Sequence, residues 1–135
     1  MRVQITESYT MDLPDNVIED VDATVTNYWK EGEDSALQLS SIYRSGSGQI
    51  SASQRLAERL QRSKIESSRE FQLETVAPDQ AAITYEHRKG YIWLYAYLVW
   101  PDLSIFATVF IPIGTGNIRD SWQYQSIKTI RRTYN

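Results

Sequence analysis

The sequence predicts a single α+β domain over residues 1–135, in which a seven-stranded antiparallel sheet is covered by helices on both faces. Three observations lead to this prediction. Short segments with apolar residues at every second position recur along the chain and are joined by turn residues, which is typical of antiparallel strands. Two further segments have apolar residues at helical spacing. Two adjacent strands are apolar on both faces, and such strands need a covering layer on each side of the sheet.

The first three predicted strands precede residue 44. Apolar and polar residues alternate over 3–11, which predicts a half-buried strand that ends at the turn residues 14–16. The same alternation over 21–29 predicts a second strand with one solvated face. The acidic and glycine-containing segment 31–34 then turns the chain into a third strand over 36–43.

A helix is predicted after the serine- and glycine-rich segment 45–48. Ser51 and Gln54 have the spacing of a capping box, in which each side chain satisfies a free backbone N–H of the first helical turn. Leu56 and Leu60 form a narrow apolar stripe in the residues that follow. We therefore expect a helix that lies on the sheet with most of its surface in water.

Four more strands are predicted over 71–76, 81–88, 91–100 and 103–111. Each is joined to the next by a short turn, and connections of that length can join only antiparallel neighbours. The last two strands are apolar on both faces and must lie in the interior of the sheet. Placing the final strand beside the third one achieves this and predicts the strand order 1-2-3-7-6-5-4.

The C-terminal segment is predicted to be the second covering helix. Asp120 can cap it, and apolar residues recur at helical spacing from Trp122 to Tyr134. Basic residues near its end would complement the helix dipole. This helix would cover the face of the sheet that the first helix leaves open.

In element order the chain resembles the PsbP-like family of α/β/α sandwiches built around a seven-stranded antiparallel sheet. The resemblance depends on the opening strand that runs into Leu13-Pro14, the strands over Tyr91–Ile111 and the closing helix Trp122–Tyr134. The family includes a photosystem II extrinsic subunit, a Ran-binding nuclear transport factor and bacterial chaperones for secreted effectors. The resemblance implies a mostly non-catalytic role, in which the domain binds or supports another protein, and it assigns no functional residue.

Composition and charge limit the possible partners and location. The absence of cysteine excludes disulfides, thiolate metal ligands and a cysteine nucleophile. Residues 1–34 hold nine acidic residues against two basic ones, which argues against a nucleic-acid partner. The apolar stretch Tyr91–Phe110 is interrupted by Pro101-Asp102, so we predict no membrane span. Without a visible secretory signal, we expect a cytoplasmic protein.

No catalytic residue, metal site or cofactor is predicted. His87 is the one histidine of the chain, and a single histidine without cysteine is poor equipment for a metal site. The segment Gly114-Thr115-Gly116 lacks the full glycine pattern of a phosphate-binding loop and favours a tight turn. Glu31, Glu33 and Asp34 lack the spacing of a calcium loop and favour a solvated hairpin tip.

The aromatic row of the sixth predicted strand carries the leading functional hypothesis. Tyrosine and tryptophan are enriched in protein-binding surfaces because they combine a large contact area with a polar group. Two interpretations remain open: the row is an exposed binding surface, or it is a second core packed by the C-terminal helix. We predict a non-enzymatic protein-binding module of chaperone or adaptor type, with a protein partner or a second copy of the chain. The candidate binding residues are Tyr91, Trp93, Tyr95, Tyr97 and His87.

The alternative hypothesis is a small-ligand-binding protein or enzyme. Its pocket would lie between sheet and helix, near His87 and Tyr85. A histidine in such a pocket could act as a general base or acid. This hypothesis predicts that His87 lies in a concave site rather than in open solvent.

Overall fold

Ten strands and two α-helices form the part of the chain that the computed structural model describes, which is residues 1–22, 24–43, 52–62, 72–73, 80–100 and 102–133. The elements in chain order are β1 (Arg2–Thr6), β2 (Tyr9–Asp12), β3 (Val17–Asp22), β4 (Val25–Lys30), β5 (Ala36–Tyr43), α1 (Ala52–Arg62), β6 (Gln72–Leu73), β7 (Gln80–Arg88), β8 (Tyr91–Val99), β9 (Leu103–Pro112), α2 (Trp122–Ile127) and β10 (Arg131–Arg132). A short 3-10 turn, Ile118–Asp120, precedes α2.

The strands form two antiparallel sheets. The larger sheet has the order β3-β4-β5-β9-β8-β7-β6, in which β6 is only two residues long, and the smaller sheet has the order β1-β2-β10. The predicted fold class and strand order are therefore wrong: the described chain is mostly β, and its first predicted strand does not belong to the large sheet. The pairing of the third predicted strand with the last one is observed, between β5 and β9.

Two of the predicted strands are hairpins. The segment 3–11 contains β1 and β2, which pair with each other around Glu7 and Ser8. The segment 21–29 contains the end of β3 and most of β4, which also pair with each other. In 3–11 the apolar residues before and after the polar run Thr6-Glu7-Ser8 all have odd numbers, so the period of two by itself does not reveal where β1 ends and β2 begins.

The C-terminal helix is much shorter than predicted. It ends at Ile127, and the backbone N–H groups of Lys128, Thr129 and Ile130 close the last turn. The Thr129 hydroxyl accepts a hydrogen bond of 2.8 Å from the backbone N–H of Asp12. The chain then continues as β10, which pairs with β2. Backbone pairing with β2 thus replaces the last two predicted turns of helix.

The main core lies between the large sheet and the layer formed by the small sheet and α2. We call the side of the large sheet that contacts this core the inner face. Its residues are buried in all the longer strands from β4 to β9, and β2 and α2 contribute the residues that cover them. The core cluster includes Tyr9, Met11, Tyr28, Leu37, Leu94, Leu98, Ile105, Val109, Tyr124 and Ile127.

A polar cluster joins the small sheet to the turn between β8 and β9. Tyr9 donates a hydrogen bond to Asp102, and Arg132 contacts both the Asp102 carboxylate and the Tyr9 hydroxyl. The Tyr9 ring also packs against Trp100, with 5.2 Å between ring centroids. Burial, followed by the hydrogen bond to Asp102, raises the pKa of Tyr9 to about 12. The hydrogen bond from Tyr9 and the charge of Arg132 lower the pKa of Asp102.

The opposite side of the large sheet, which we call the outer face, carries α1. Ala52 and Leu56 of this helix pack on Ala82, Tyr95 and Val99, so α1 lies over β7 and β8. The predicted helix near Leu56 is therefore present, whereas the predicted cap residue Ser51 and the segment 45–48 lie outside the described residues. Of the predicted strand 71–76, only Gln72 and Leu73 are described, as β6. Neither described helix has the length and apolar content that a membrane-spanning segment needs.

Candidate functional site

An aromatic surface lies on the outer face of the sheet. Successive side chains of a strand point to opposite faces, and residues paired across antiparallel strands share a face. The odd-numbered residues of β8 therefore lie beside Phe106 and Phe110 of β9, because Trp93 pairs with Phe110 and Tyr97 with Phe106. The surface comprises Tyr91, Trp93, Tyr95, Tyr97, Phe106 and Phe110.

The helix α1 buries only the middle of this surface. Tyr95 is 2% exposed, and it belongs to the small cluster around Ala52 and Leu56. The five remaining rings are partly exposed. The sequence left two interpretations open, an exposed surface or a second core, and the structure contains both: Tyr95 is core, while its neighbours form an aromatic rim.

The rings contact one another across the strands. Trp93 and Phe110 have centroids 5.0 Å apart, and Tyr91 meets Phe110 edge-on at 5.6 Å. Phe106 joins Tyr95 and Tyr97, each at 6.4 Å. Such offset and edge-to-face pairs hold rings in defined orientations. The aromatic side chains of β8 and β9 therefore form one continuous set of ring contacts.

Two guanidinium groups lie on this surface. The guanidinium carbon of Arg88 is 4.7 Å from the centroid of the Trp93 ring, and that of Arg59 is 4.9 Å from the centroid of the Phe106 ring. Both distances are within the range of cation–π contacts. The Arg88 Nε atom also lies 3.5 Å from the Glu86 carboxylate. The surface thus combines apolar rings with two positively charged groups.

Glu86 and Tyr95 form a buried polar pair beneath the rim. The Tyr95 hydroxyl donates a hydrogen bond of 3.0 Å to Glu86, which is 8% exposed. Burial and this hydrogen bond raise the pKa of Tyr95. Beside the pair, the indole Nε1–H of Trp93 is buried and has no hydrogen-bond partner within the part of the chain that the structure describes. An unsatisfied buried donor lowers stability.

A hydrogen bond joins the Tyr91 end of the aromatic row to the acidic hairpin tip, residues 31–34. The Tyr91 hydroxyl donates a hydrogen bond to Asp34, which raises the pKa of Tyr91. Glu33 accepts a hydrogen bond of 3.2 Å from the indole N–H of Trp122. The predicted solvated tip over 31–34 is thus exposed but bonded to two aromatic side chains.

The turn at Gly114 and Gly116 is exposed, and both glycines have positive φ, at 96° and 126°.

His87 does not lie with the aromatic row. It pairs with Ile92, so its side chain points to the inner side of the sheet, and it is exposed near the turn that leads to β8. Tyr85 lies on the same side and packs against the main core. A cleft of about 560 Å³ is found elsewhere, beside Ile18 and Lys30. The five candidate residues are therefore not one site: four lie on the outer face and the fifth on the opposite side.

The sequence prediction omitted four members of the site. Phe106 and Phe110 alternate with the core residues of β9, and that alternation was the signal for a second apolar face. Arg88 and Arg59 gave no comparable signal, because their positions over Trp93 and Phe106 depend on how β7 and α1 pack on β8 and β9.

No protein-family model and no curated protein matches this chain. A solved structure of a protein from Bacteroides thetaiotaomicron is similar to it, with a TM-score of 0.63 at 13% sequence identity over 93% of the chain. The chain spans 45% of the length of that protein. At this level of identity the similarity shows the fold alone.

The resemblance to the PsbP-like family stays a prediction. Two of the features on which it depended differ in the structure, because the opening strand belongs to the small sheet and the closing helix ends at Ile127. The strands β8 and β9 are present as an antiparallel pair.

Proposed function

We propose that this chain is a non-enzymatic protein-binding module, of chaperone or adaptor type, that binds an apolar segment of a partner on the aromatic surface. The observation that carries the proposal is the partly exposed aromatic rim on the outer face, formed by Tyr91, Trp93, Tyr97, Phe106 and Phe110. The predicted cytoplasmic location is part of the same proposal.

The chemistry of the rim supports a polypeptide partner. Large rings that are already ordered lose little conformational entropy on binding, and tyrosine and tryptophan dominate the energetics of protein interfaces. Arg88 and Arg59 can pair with acidic groups at the border of such a contact. A second copy of the chain is the other occupant that this surface could accept.

The small-ligand alternative has less support. It needs a concave site at His87, whereas the His87 side chain is exposed and lies on the opposite side of the sheet from the aromatic surface. We therefore propose no reaction and no cofactor for this chain.

Site-specific photo-crosslinking tests the proposal. A benzophenone amino acid would replace Thr108, which is partly exposed and pairs with Tyr95 and Gln38 on the outer face. The matched control carries it at Gln125, an exposed residue of α2. We expect a discrete crosslinked protein from position 108 and not from position 125 after irradiation in native cell extract.

A second variant separates a specific contact from chance proximity. Phe110→Ser should reduce the product from position 108 at least about fivefold, since it removes a rim ring without touching Tyr95. Tyr95 itself is a poor choice because it is buried, so its replacement would report on stability. Equal products from both positions would contradict the proposal. A crosslink between two copies of the chain would instead establish a homodimer.

A further inference from the structure

Among the described residues, β3 pairs with β4 alone and so leaves a free strand edge at the end of the large sheet away from β8 and β9. The strand β3 ends the strand order, and all six of its residues pair with β4 in an unbroken register. Of the four edge strands in the described part of the chain, β3 is the longest. The edge away from β4 presents backbone N–H and C=O groups, and an added strand of another polypeptide satisfies such groups in register.

The side chains of β3 are exposed and acidic. Five of its six residues are exposed, including Ile18 at 40% and Val21 at 63%. Because neighbouring residues alternate between faces, Glu19 lies on the inner side, while Asp20 and Asp22 lie on the outer side. An added strand would meet a carboxylate on either face of the sheet, together with an exposed apolar side chain.

The charge of β3 selects among the possible occupants. A second copy that paired through its own β3 would place carboxylates opposite carboxylates, which destabilises a strand pair. The basic residues Arg131 and Arg132 of this chain are already used in β10, where they pair with β2. A basic, extended segment of another protein is complementary in both backbone and charge.

A cleft at one end of the edge supports the same occupant. It has a volume of about 560 Å³ and is lined by residues around the start of β3 and the end of β4, which are Asn16, Val17, Ile18, Lys30, Glu31 and Glu33. The Lys30 ammonium is directed to the Trp122 ring, 5.8 Å from its centroid, and the two carboxylates outnumber it. Glu31 and Glu33 are exposed, and carboxylates at the wall of an open cleft suit a lysine or arginine side chain. We propose that β3 binds a basic, extended polypeptide segment by strand addition, with one basic side chain in this cleft.

This second site is independent of the aromatic surface, and three peptides can test it. The first is a capped eight-residue peptide in which lysine and valine alternate. The second has glutamate in place of lysine. The third keeps the lysines but carries N-methyl groups on alternate backbone nitrogens, which removes the donors needed for strand pairing. Binding is measured by fluorescence anisotropy, and backbone protection by amide hydrogen exchange.

We expect saturable binding of the first peptide alone, with slower amide exchange in β3. Neutralising the acids in a Glu19→Gln, Asp20→Asn, Asp22→Asn variant should weaken binding roughly tenfold. The alternating lysines lie on one face of the added strand, so they lose their exposed ion pairs with Asp20 and Asp22 on the outer side, or with Glu19 on the inner side. The three side chains are exposed, and Glu19→Gln keeps an oxygen that can accept the hydrogen bond from Tyr28, so the variant should fold. Phe110→Ser should leave the affinity unchanged, which separates this site from the aromatic surface.

Three outcomes would overturn the proposal. The first is a failure of the unmodified peptide to bind. The second is equal affinity for the N-methylated peptide, which would reduce the attraction to charge alone. The third is unchanged exchange of the β3 amides in the presence of bound peptide. The oligomeric state of the chain gives a separate test. If the chain forms a concentration-dependent dimer, and if the triple variant changes the stability of that dimer, the β3 edge binds a second copy of the chain and not a basic partner.

Discussion

The two faces of the large sheet differ in how completely they are covered. The inner face packs against the small sheet and α2, and its core residues from Leu37 to Val109 are buried. The outer face carries α1 over β7 and β8, and the aromatic rings beside that helix stay partly exposed. Both faces of β8 and β9 are apolar in sequence. An apolar strand face in the sequence therefore indicates that some element packs on it. How much of that face becomes buried depends on which helices and strands pack there.

The polar groups differ between the faces in the same way. On the inner side, Tyr9, Asp102 and Arg132 satisfy one another where the small sheet meets the turn between β8 and β9. On the outer side, the indole N–H of Trp93 is buried without a partner. The outer side also contains a satisfied buried pair, Tyr95 with Glu86, so the indole of Trp93 is an unsatisfied donor beside a paired one.

The largest expected effect comes from truncating one side chain on each face of β9. Ile105→Ala should lower the free energy of unfolding by about 2–5 kcal/mol, because Ile105 is fully buried in the main core. Phe110→Ala should lower it by only about 1–2 kcal/mol, because Phe110 is partly exposed. Urea unfolding measures both values. Equal losses would show that the outer face is as closed as the inner one.

The next largest effect is expected from alkaline pH, which should destabilise the polar cluster of Tyr9, Asp102 and Arg132. The pKa of Tyr9 is raised to about 12 from the 10.0 of a free tyrosine. The unfolded chain therefore releases this proton first, so the stability contributed by Tyr9 is complete below pH 10 and falls as the pH rises to 12. Two pKa units correspond to about 3 kcal/mol.

The free energy of unfolding, measured against pH, checks this prediction. The Tyr9→Phe variant should show a smaller decline over the same window, because it removes the phenol that titrates. Tyr28 and Tyr95, whose pKa values are also raised by burial, should account for the decline that remains. Identical pH profiles for the two proteins would exclude a contribution of Tyr9.

A smaller effect is expected from breaking the ion pair that joins the small sheet to the β8–β9 turn. Asp102→Asn should cost about 1 kcal/mol, since the carboxylate accepts hydrogen bonds from both Tyr9 and Arg132 but is partly exposed. Glu58→Gln is the matched control, because Glu58 pairs with Arg55 at 3.6 Å on the surface of α1. The control should change stability by less than about 0.5 kcal/mol. Thermal unfolding that ranks the two variants in reverse would contradict this comparison.

The smallest effect is expected at Trp93. Trp93→Phe removes contact area but also removes an unsatisfied buried N–H, so the two changes should cancel to within about 1 kcal/mol. Trp100→Phe on the inner side should cost more, about 1–2 kcal/mol, because it leaves a cavity beside Tyr9. A large loss from Trp93→Phe would show that its indole has a partner or a tighter environment than the structure indicates.

Part of the fold could be predicted from sequence because it depends on local signals. The strands β7, β8 and β9 are joined by short turns and have strong alternation, and their pairing follows from these features. The hairpin between β1 and β2 was missed because the apolar residues on both sides of the turn at Glu7 and Ser8 have odd numbers and fit one period of two. The C-terminal helix was overextended, since apolar spacing does not reveal that Arg131 and Arg132 pair with β2.

The candidate site was likewise predicted only in part, where local sequence signals were enough. The aromatic row of β8 was visible in the sequence, because alternate residues of a strand share a face. The placement of His87 with that row was not justified, because His87 pairs with Ile92, whose side chain lies on the opposite face from Trp93. Arg88 and Arg59 joined the site only through the packing of β7 and α1.

The sequence by itself determined that β8 and β9 have two apolar faces, because side-chain direction along a strand alternates whatever surrounds it. Tertiary structure decided which of these faces became the closed core. Residues far apart in the chain, Tyr9 and Tyr124 among them, converge on the inner face and bury the centre of it, including Leu94, Leu98 and Ile105. On the outer face α1 covers Tyr95 and leaves Trp93 at the rim, because burial depends on which elements meet in space and not on local periodicity.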